Sequence, residues 1–110
     1  MKRYEFVHTD AFDRSLSAVM RDDQLREIQD ALCRDPEQGS VIRGTGGLRK
    51  MRWGLPGQGK SGGVRVIYLF LAERERIHLV LVYPKSKKEN ITDAEKVALR
   101  RLSAVLKAEE

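Results

Sequence analysis

The run Val64-Arg65-Val66-Ile67-Tyr68-Leu69-Phe70-Leu71 is apolar at every position but one. Its β-branched, aromatic and aliphatic residues predict a strand covered over most of both faces, and such a strand belongs at the centre of a sheet. Two further strands are read at Leu48–Trp53 and Ile77–Tyr83, joined to it by a glycine-rich loop and by the short turn Glu73-Arg74-Glu75-Arg76. Consecutive hairpins imply an antiparallel sheet.

Helices flank these strands in the chain. After a short strand at Tyr4–His8, Asp10 reads as a helix N-cap, with Phe12, Leu16, Val19 and Met20 at helical spacing behind it. Asp22 or Asp23 can cap a second helix with an apolar face of Leu25, Ile28, Ala31 and Leu32, which Pro36 and Gly39 end. The pair is expected to form a hairpin against the sheet. Thr92-Asp93-Ala94-Glu95 reads as a capping box opening a last helix, with Val97, Ala98, Leu99, Leu102, Val105 and Leu106 as a broad apolar face. The expected order is β-α-α-β-β-β-α in a single α+β domain over residues 1–110. With 41% hydrophobic and 34% charged residues, such a domain folds without metals or disulfides. Cys33, the lone cysteine, is read as a small core residue in a reducing setting. No apolar signal region precedes Tyr4, and no apolar stretch approaches the roughly 18 residues of a membrane span. A cytoplasmic protein is expected, with no membrane partner.

Charge is distributed unevenly. From Gln38 through Ala72 there is no Asp or Glu, while Arg43, Arg49, Lys50, Arg52, Lys60 and Arg65 lie there, as do all nine glycines between Gly39 and Gly63. Met1–Glu37 instead carries nine acidic and six basic residues. The acid-free centre therefore points to a polyanionic partner, nucleic acid first, and the acidic N-terminal part to scaffold.

Gly54-Leu55-Pro56-Gly57-Gln58-Gly59-Lys60-Ser61 matches the phosphate-binding loop pattern of nucleoside triphosphatases. That loop works because a helix begins directly after it and aims its N–H groups at phosphate. Here Gly62-Gly63 and the apolar strand follow. The match is read as a hairpin connection.

Strand periodicity sorts the cations. On Leu48–Trp53, Lys50 and Arg52 share one face while Met51 and Trp53 take the other. Should the neighbouring strand bring Arg65 beside them, three positive charges form a phosphodiester pocket, with Lys85, Lys87 and Lys88 following Tyr83 at the end of the last strand. Strand lysines are most often solvated edge residues, which suffices for Lys60 or Lys88. A charge inside an apolar run is costly to desolvate without an anion or access to a rim. His8 and His78 stand on different strands without partners in sequence, and no clustered carboxylates suggest a metal or a cofactor. Metal-free RNA cleavage remains open: the ribose 2′-hydroxyl attacks its own phosphate when cations stabilise the oxygens, and a lysine crowded by cations falls from its pKa of about 10.4 toward a useful proton acceptor.

Three segments carry a family resemblance: Gly44-Thr45-Gly46-Gly47-Leu48-Arg49-Lys50-Met51-Arg52, the Gly-Lys-Ser-Gly-Gly-Val-Arg-Val-Ile-Tyr of residues 59–68, and Leu81-Val82-Tyr83-Pro84-Lys85 with Asn90-Ile91-Thr92. In this order the chain resembles the RelE/HigB superfamily of bacterial toxins, and its opening, Phe6-Val7-His8-Thr9-Asp10-Ala11-Phe12, resembles the HigB-like branch. The resemblance implies a small RelE-like fold and a type II toxin paired with an antitoxin. It further implies metal-free cleavage of mRNA in the ribosomal A site through the 2′-hydroxyl. Lys50 and Arg52 match the family's basic strand positions, for proton transfer or charge stabilisation, and Arg65 matches its phosphate-holding arginine. Many relatives stack a C-terminal tyrosine on the message. No tyrosine follows Tyr83 here, so either Tyr83 or Trp53 substitutes for it or the stacking is weaker; the acid that protonates the leaving oxygen stays open, with Lys85 and Lys87 as candidates for that role or for binding backbone. Arg49, Lys60 and Lys88 join Trp53 and Lys87 as expected contacts to messenger or ribosomal RNA. The rival readings are a non-catalytic RNA- or DNA-binding module and an inactive homologue that only binds an antitoxin.

Overall fold

The computed structural model describes residues 2–55, 63–88 and 90–109. Its elements run β1 (Glu5–His8), α1 (Asp10–Val19), α2 (Asp22–Arg34), β2 (Ser40–Val41), β3 (Arg49–Leu55), β4 (Gly63–Leu71), a 3₁₀ turn (Ala72–Arg74), β5 (Arg76–Pro84) and α3 (Asp93–Ala108). Five strands form one sheet in the order β1-β5-β4-β3-β2. The apolar run is its middle strand, buried continuously from Gly63 to Leu69.

The sheet separates two cores. On one face, Met51, Val66, Tyr68 and Leu79 meet Phe12, Met20, Leu25, Ile28 and Leu32 of the α1–α2 hairpin. On the other, Leu48, Ile67, Leu69 and Val80 meet Ile91, Leu99 and Leu106, the latter two from α3. Cys33 is buried.

The pairs β3–β4 and β4–β5 are antiparallel as expected, and β2, a two-residue strand absent from the expected order, pairs antiparallel with β3. Strand β1 is a correction: it pairs with β5 in parallel, Glu5 opposite Arg76 through His8 opposite Leu79. Its link to the rest of the sheet passes through two helices, so no hairpin constrains its direction. Another departure lies in β5, where the partner of Ile67 is Leu81 but that of Tyr68 is Leu79. Val80 is the extra residue of a bulge, and the alternation of β5 changes phase there.

The caps also refine the reading. Thr9, not Asp10, caps α1: its hydroxyl accepts from Phe12 N at 3.0 Å and donates to Val80 O at 2.7 Å. Helix α2 begins at Asp22, with Arg21 as its cap residue, and Gln24 Oε1 accepts the Arg21 N–H at 2.8 Å. Asp22 and Asp23 lie in the first turn, where their charges favour the helix dipole. Thr92 and Glu95 form the expected capping box on α3.

The glycines at 44–47 belong to a turn docked on α3. Gly46 has φ +76°, its carbonyl accepts from Ser103 Oγ at 3.1 Å and from Lys107 Nζ, and a Cβ there would lie 3.1 Å from Ser103 Oγ.

Tyr68 ties the α2–β2 connection down. Its hydroxyl donates to Pro36 O at 2.8 Å and accepts from Gly39 N at 2.9 Å. Tyr68→Phe strands both backbone groups and is expected to cost about 1–3 kcal/mol in urea unfolding; an unchanged midpoint would show that the connection holds without it. His78, 1% exposed, has neither ring nitrogen hydrogen-bonded among the described residues. Burial, reinforced by Arg76, lowers its pKa below 6.5. The fold therefore favours neutral His78, and its contribution is intact above pH 6.5 and declines as the pH falls below it, where the unfolded chain takes up the proton. Stability should fall more steeply from neutral to mildly acidic pH in the wild type than in His78→Leu, measured by urea midpoints. Parallel profiles would exclude His78 as the source.

Candidate active site

Strand register assembles a row of side chains that no single segment contains. Arg52 on β3 lies opposite Arg65 on β4, and Arg65 lies opposite Tyr83 on β5. One step along the same face, Lys50 lies opposite Ile67, with Ser40 of β2 on its other side. This is the face that carries α3.

The two arginines differ in setting. Arg52 is exposed, whereas Arg65 is 5% exposed, and its Nη1 donates to Val64 O at 3.3 Å. Like charges directly opposite on neighbouring strands destabilise a sheet. An anion between them turns that repulsion into attraction, so the pair suits a phosphate.

Tyr83 closes the row. Its hydroxyl is buried and finds no hydrogen-bond partner among the described residues. Burial raises its pKa, and the nearby Arg65 opposes the rise. The hydroxyl is thus a neutral donor near neutral pH. Tyr83 reaches this face only because of the bulge. Ile77 and Leu79 before the bulge face the α1–α2 core, and unbroken alternation would have put Tyr83 with them. Val80 and Leu81 instead both join the α3 side, and Tyr83 follows.

The other expected residues divide sharply. Arg49 is on the opposite face, donating from Nη1 to Glu37 O at 3.0 Å and Gly39 O at 2.8 Å and pairing with the Glu37 carboxylate. It braces the connection that Tyr68 also holds. Trp53 packs against the α1–α2 core, away from Arg52. Lys88 is paired with Glu95. Lys87 is exposed and, with Arg14, Tyr83 and Ile91, lines a cleft of about 470 Å³ at the free end of the β5 edge. Lys85 follows β5, its N–H donating to Gly63 O at 3.1 Å. Lys60 lies outside the described residues. Strand β3 ends before it and strand β4 begins after it, so the first described element after the phosphate-loop-like motif is a strand. Among the described residues no group of three or more His, Cys, Asp or Glu is placed to hold a metal ion.

Asn90 and Lys96 were missed by the sequence reading. With Ser40 and Lys50 they line a separate cleft of about 330 Å³. Lys96 is hidden in sequence because a basic residue in a helix is usually a solvated one.

The sequence model of the family described as the RelE toxin of the RelE/RelB toxin–antitoxin system matches residues 7–110. The chain belongs to the RelE toxin family. Solved structures repeat the fold at low identity. A free E. coli RelE carrying two arginine-to-alanine substitutions superposes with a TM-score of 0.60 at 15% identity, covering 98% of this chain and 100% of that one. The isolated E. coli RelE toxin gives a TM-score of 0.56 at 16% identity over 90% and 98% of the two chains. The intact E. coli RelBE toxin–antitoxin complex gives 0.56 at 16% identity over 72% and 93%. No helix among the described residues of this RelE-family toxin is long and apolar enough to cross a membrane.

Tyr83→Phe removes an orphaned hydroxyl at nearly constant volume. Its unfolding free energy in urea should stay unchanged or rise by up to about 1 kcal/mol. A loss of stability would mean that the hydroxyl has a structural partner.

Proposed function

We propose that this toxin is a ribosome-dependent mRNA endoribonuclease that cuts the message in the A site, without a metal, by attack of a ribose 2′-hydroxyl on its neighbouring phosphorus. The Arg52–Arg65–Tyr83 row with Lys50 beside it is the observation that carries this reading. In the reaction the 2′-oxygen–phosphorus bond forms, the bond to the 5′-oxygen breaks, one proton leaves the 2′-hydroxyl and another reaches the leaving oxygen. Arg52 and Arg65 stabilise the charge that grows on the phosphoryl oxygens. Tyr83 donates a hydrogen bond to the same group. Arginine stays protonated, so within the pair Lys50 and Arg52 proton transfer falls to Lys50. Lys85 and Lys87, at the end of β5, are placed to hold flanking backbone or to protonate the leaving oxygen. Trp53 and Arg49 serve the fold on the far face instead. The ribosome positions the message, which fits a free site with few groups for holding RNA alone, and the reaction is cytoplasmic.

An antitoxin is the protein partner, in keeping with the family and with the RelBE complex whose toxin shares this fold. The Phe6–Phe12 segment favours the HigB-like branch.

Purified protein added to programmed ribosomes should yield new message ends within the A-site codon, read by primer extension. Arg65→Ala and Arg52→Ala should each reduce cleavage by about 10²–10³-fold, the scale of removing one charge-stabilising donor, with circular dichroism confirming the fold. Uncut message with wild-type protein would favour the binding-module reading, and full activity in both variants would remove the arginine row from the chemistry.

A further inference from the structure

Next to the arginine row, the cleft of about 330 Å³ opens between β2 and the start of α3. Its polar lining comes from four separate stretches of chain: Ser40 on β2, Lys50 on β3, Asn90 before α3 and Lys96 in the second turn of α3. Hydroxyl, amide and two ammonium groups supply donors, and among the described residues no carboxylate lines the cleft. Neither lysine has an ion pair or side-chain hydrogen bond among the described residues. The carboxylate adjoining Lys96 in sequence is already neutralised: Glu95 pairs with Lys88 and accepts the Thr92 N–H at 2.9 Å. Asp93 is exposed and is not part of the lining. The acid adjoining Lys96 in sequence is thus engaged elsewhere, and the Lys96 ammonium lines the cleft.

We propose that this cleft binds a second phosphodiester of the RNA, adjacent to the one held by Arg52 and Arg65, with Lys96 and Asn90 as its anchors and Lys50 shared between the two. The inference rests on the cleavage reading for which strand is bound, and it adds where that strand runs. Lys50 and Arg52 are two residues apart on β3, about 7 Å along the strand, the scale of one nucleotide step. Successive phosphates can therefore follow β3 from the arginine row toward β2, while Val41, Ile42 and Ile91 offer apolar surface to the intervening sugar.

The test is fluorescence anisotropy of the full-length protein with a single-stranded 2′-O-methyl RNA, which lacks the attacking hydroxyl, over a series of KCl concentrations. Lys96→Ala should weaken binding and reduce the slope of log affinity against log salt by about 0.7, the value for one phosphate contact on a single strand. Arg100→Ala, an exposed cation on the same helix outside the cleft, should leave the slope unchanged. An unaltered slope in Lys96→Ala overturns the inference, as does an equal loss in Arg100→Ala. Weaker antitoxin binding in Lys96→Ala with an unchanged RNA slope also overturns it and assigns the cleft to the protein partner. A wild type that leaves message on ribosomes uncut yet keeps the Lys96-dependent slope supports the cleft and removes only the cleavage reading.

Discussion

Burial of β4 on both faces is the constraint from which the rest of the molecule follows. Val64, Val66 and Tyr68 point into the α1–α2 core while Ile67 and Leu69 point into the α3 core, so neither layer can be removed without exposing the strand. Each such side chain is worth about 1.5–3 kcal/mol when fully buried. Placing Arg65 in this strand works against that gain, because a guanidinium taken out of water costs several kcal/mol before compensation. The fold can tolerate the position near the end of the strand, where Arg52 carries the row of charge out to solvent.

Pairing separates the cations into two populations. Arg49, Arg76 and Lys88 each meet a carboxylate of this chain, Glu37, Glu5 and Glu95 respectively, and these ties hold the α2–β2 connection, the parallel β1–β5 edge and the approach to α3. Lys50, Arg52 and Lys96 have no such partner among the described residues and lie on the α3 face or its rim. The acidic residues are concentrated at the two ends of the chain, and folding uses several of them to satisfy structural cations while leaving Lys50, Arg52 and Lys96 to an external polyanion.

Much of this was legible in the sequence. Alternation on β3 separates Lys50 and Arg52 from Met51 and Trp53, and the structure keeps that division. The glycine-rich stretch could not be assigned as one unit, since Gly44–Gly47 form a turn on α3 while Gly54 and Gly63 lie in β3 and β4. Arg49 could not be told from its neighbours because its partners, Glu37 and the Gly39 carbonyl, are ten to twelve residues away. Val97 and Val105 seemed equivalent to Leu99 and Leu106 by helical spacing, yet they are exposed, because the sheet covers only one side of α3.

Local composition alone determined that β4 is central, that Lys50 and Arg52 share a face, and that a helix capped by Thr92 closes the chain, because periodicity, capping and burial are properties of short segments. Which strands stand side by side, and in what phase, is a property of long-range pairing. The parallel placement of β1 and the bulge at Val80 were therefore decided by tertiary structure. The bulge matters most for function: one extra residue moves Tyr83 from the α1–α2 core to the side of Arg65, since in a strand with a period of two a single insertion exchanges the faces of everything beyond it.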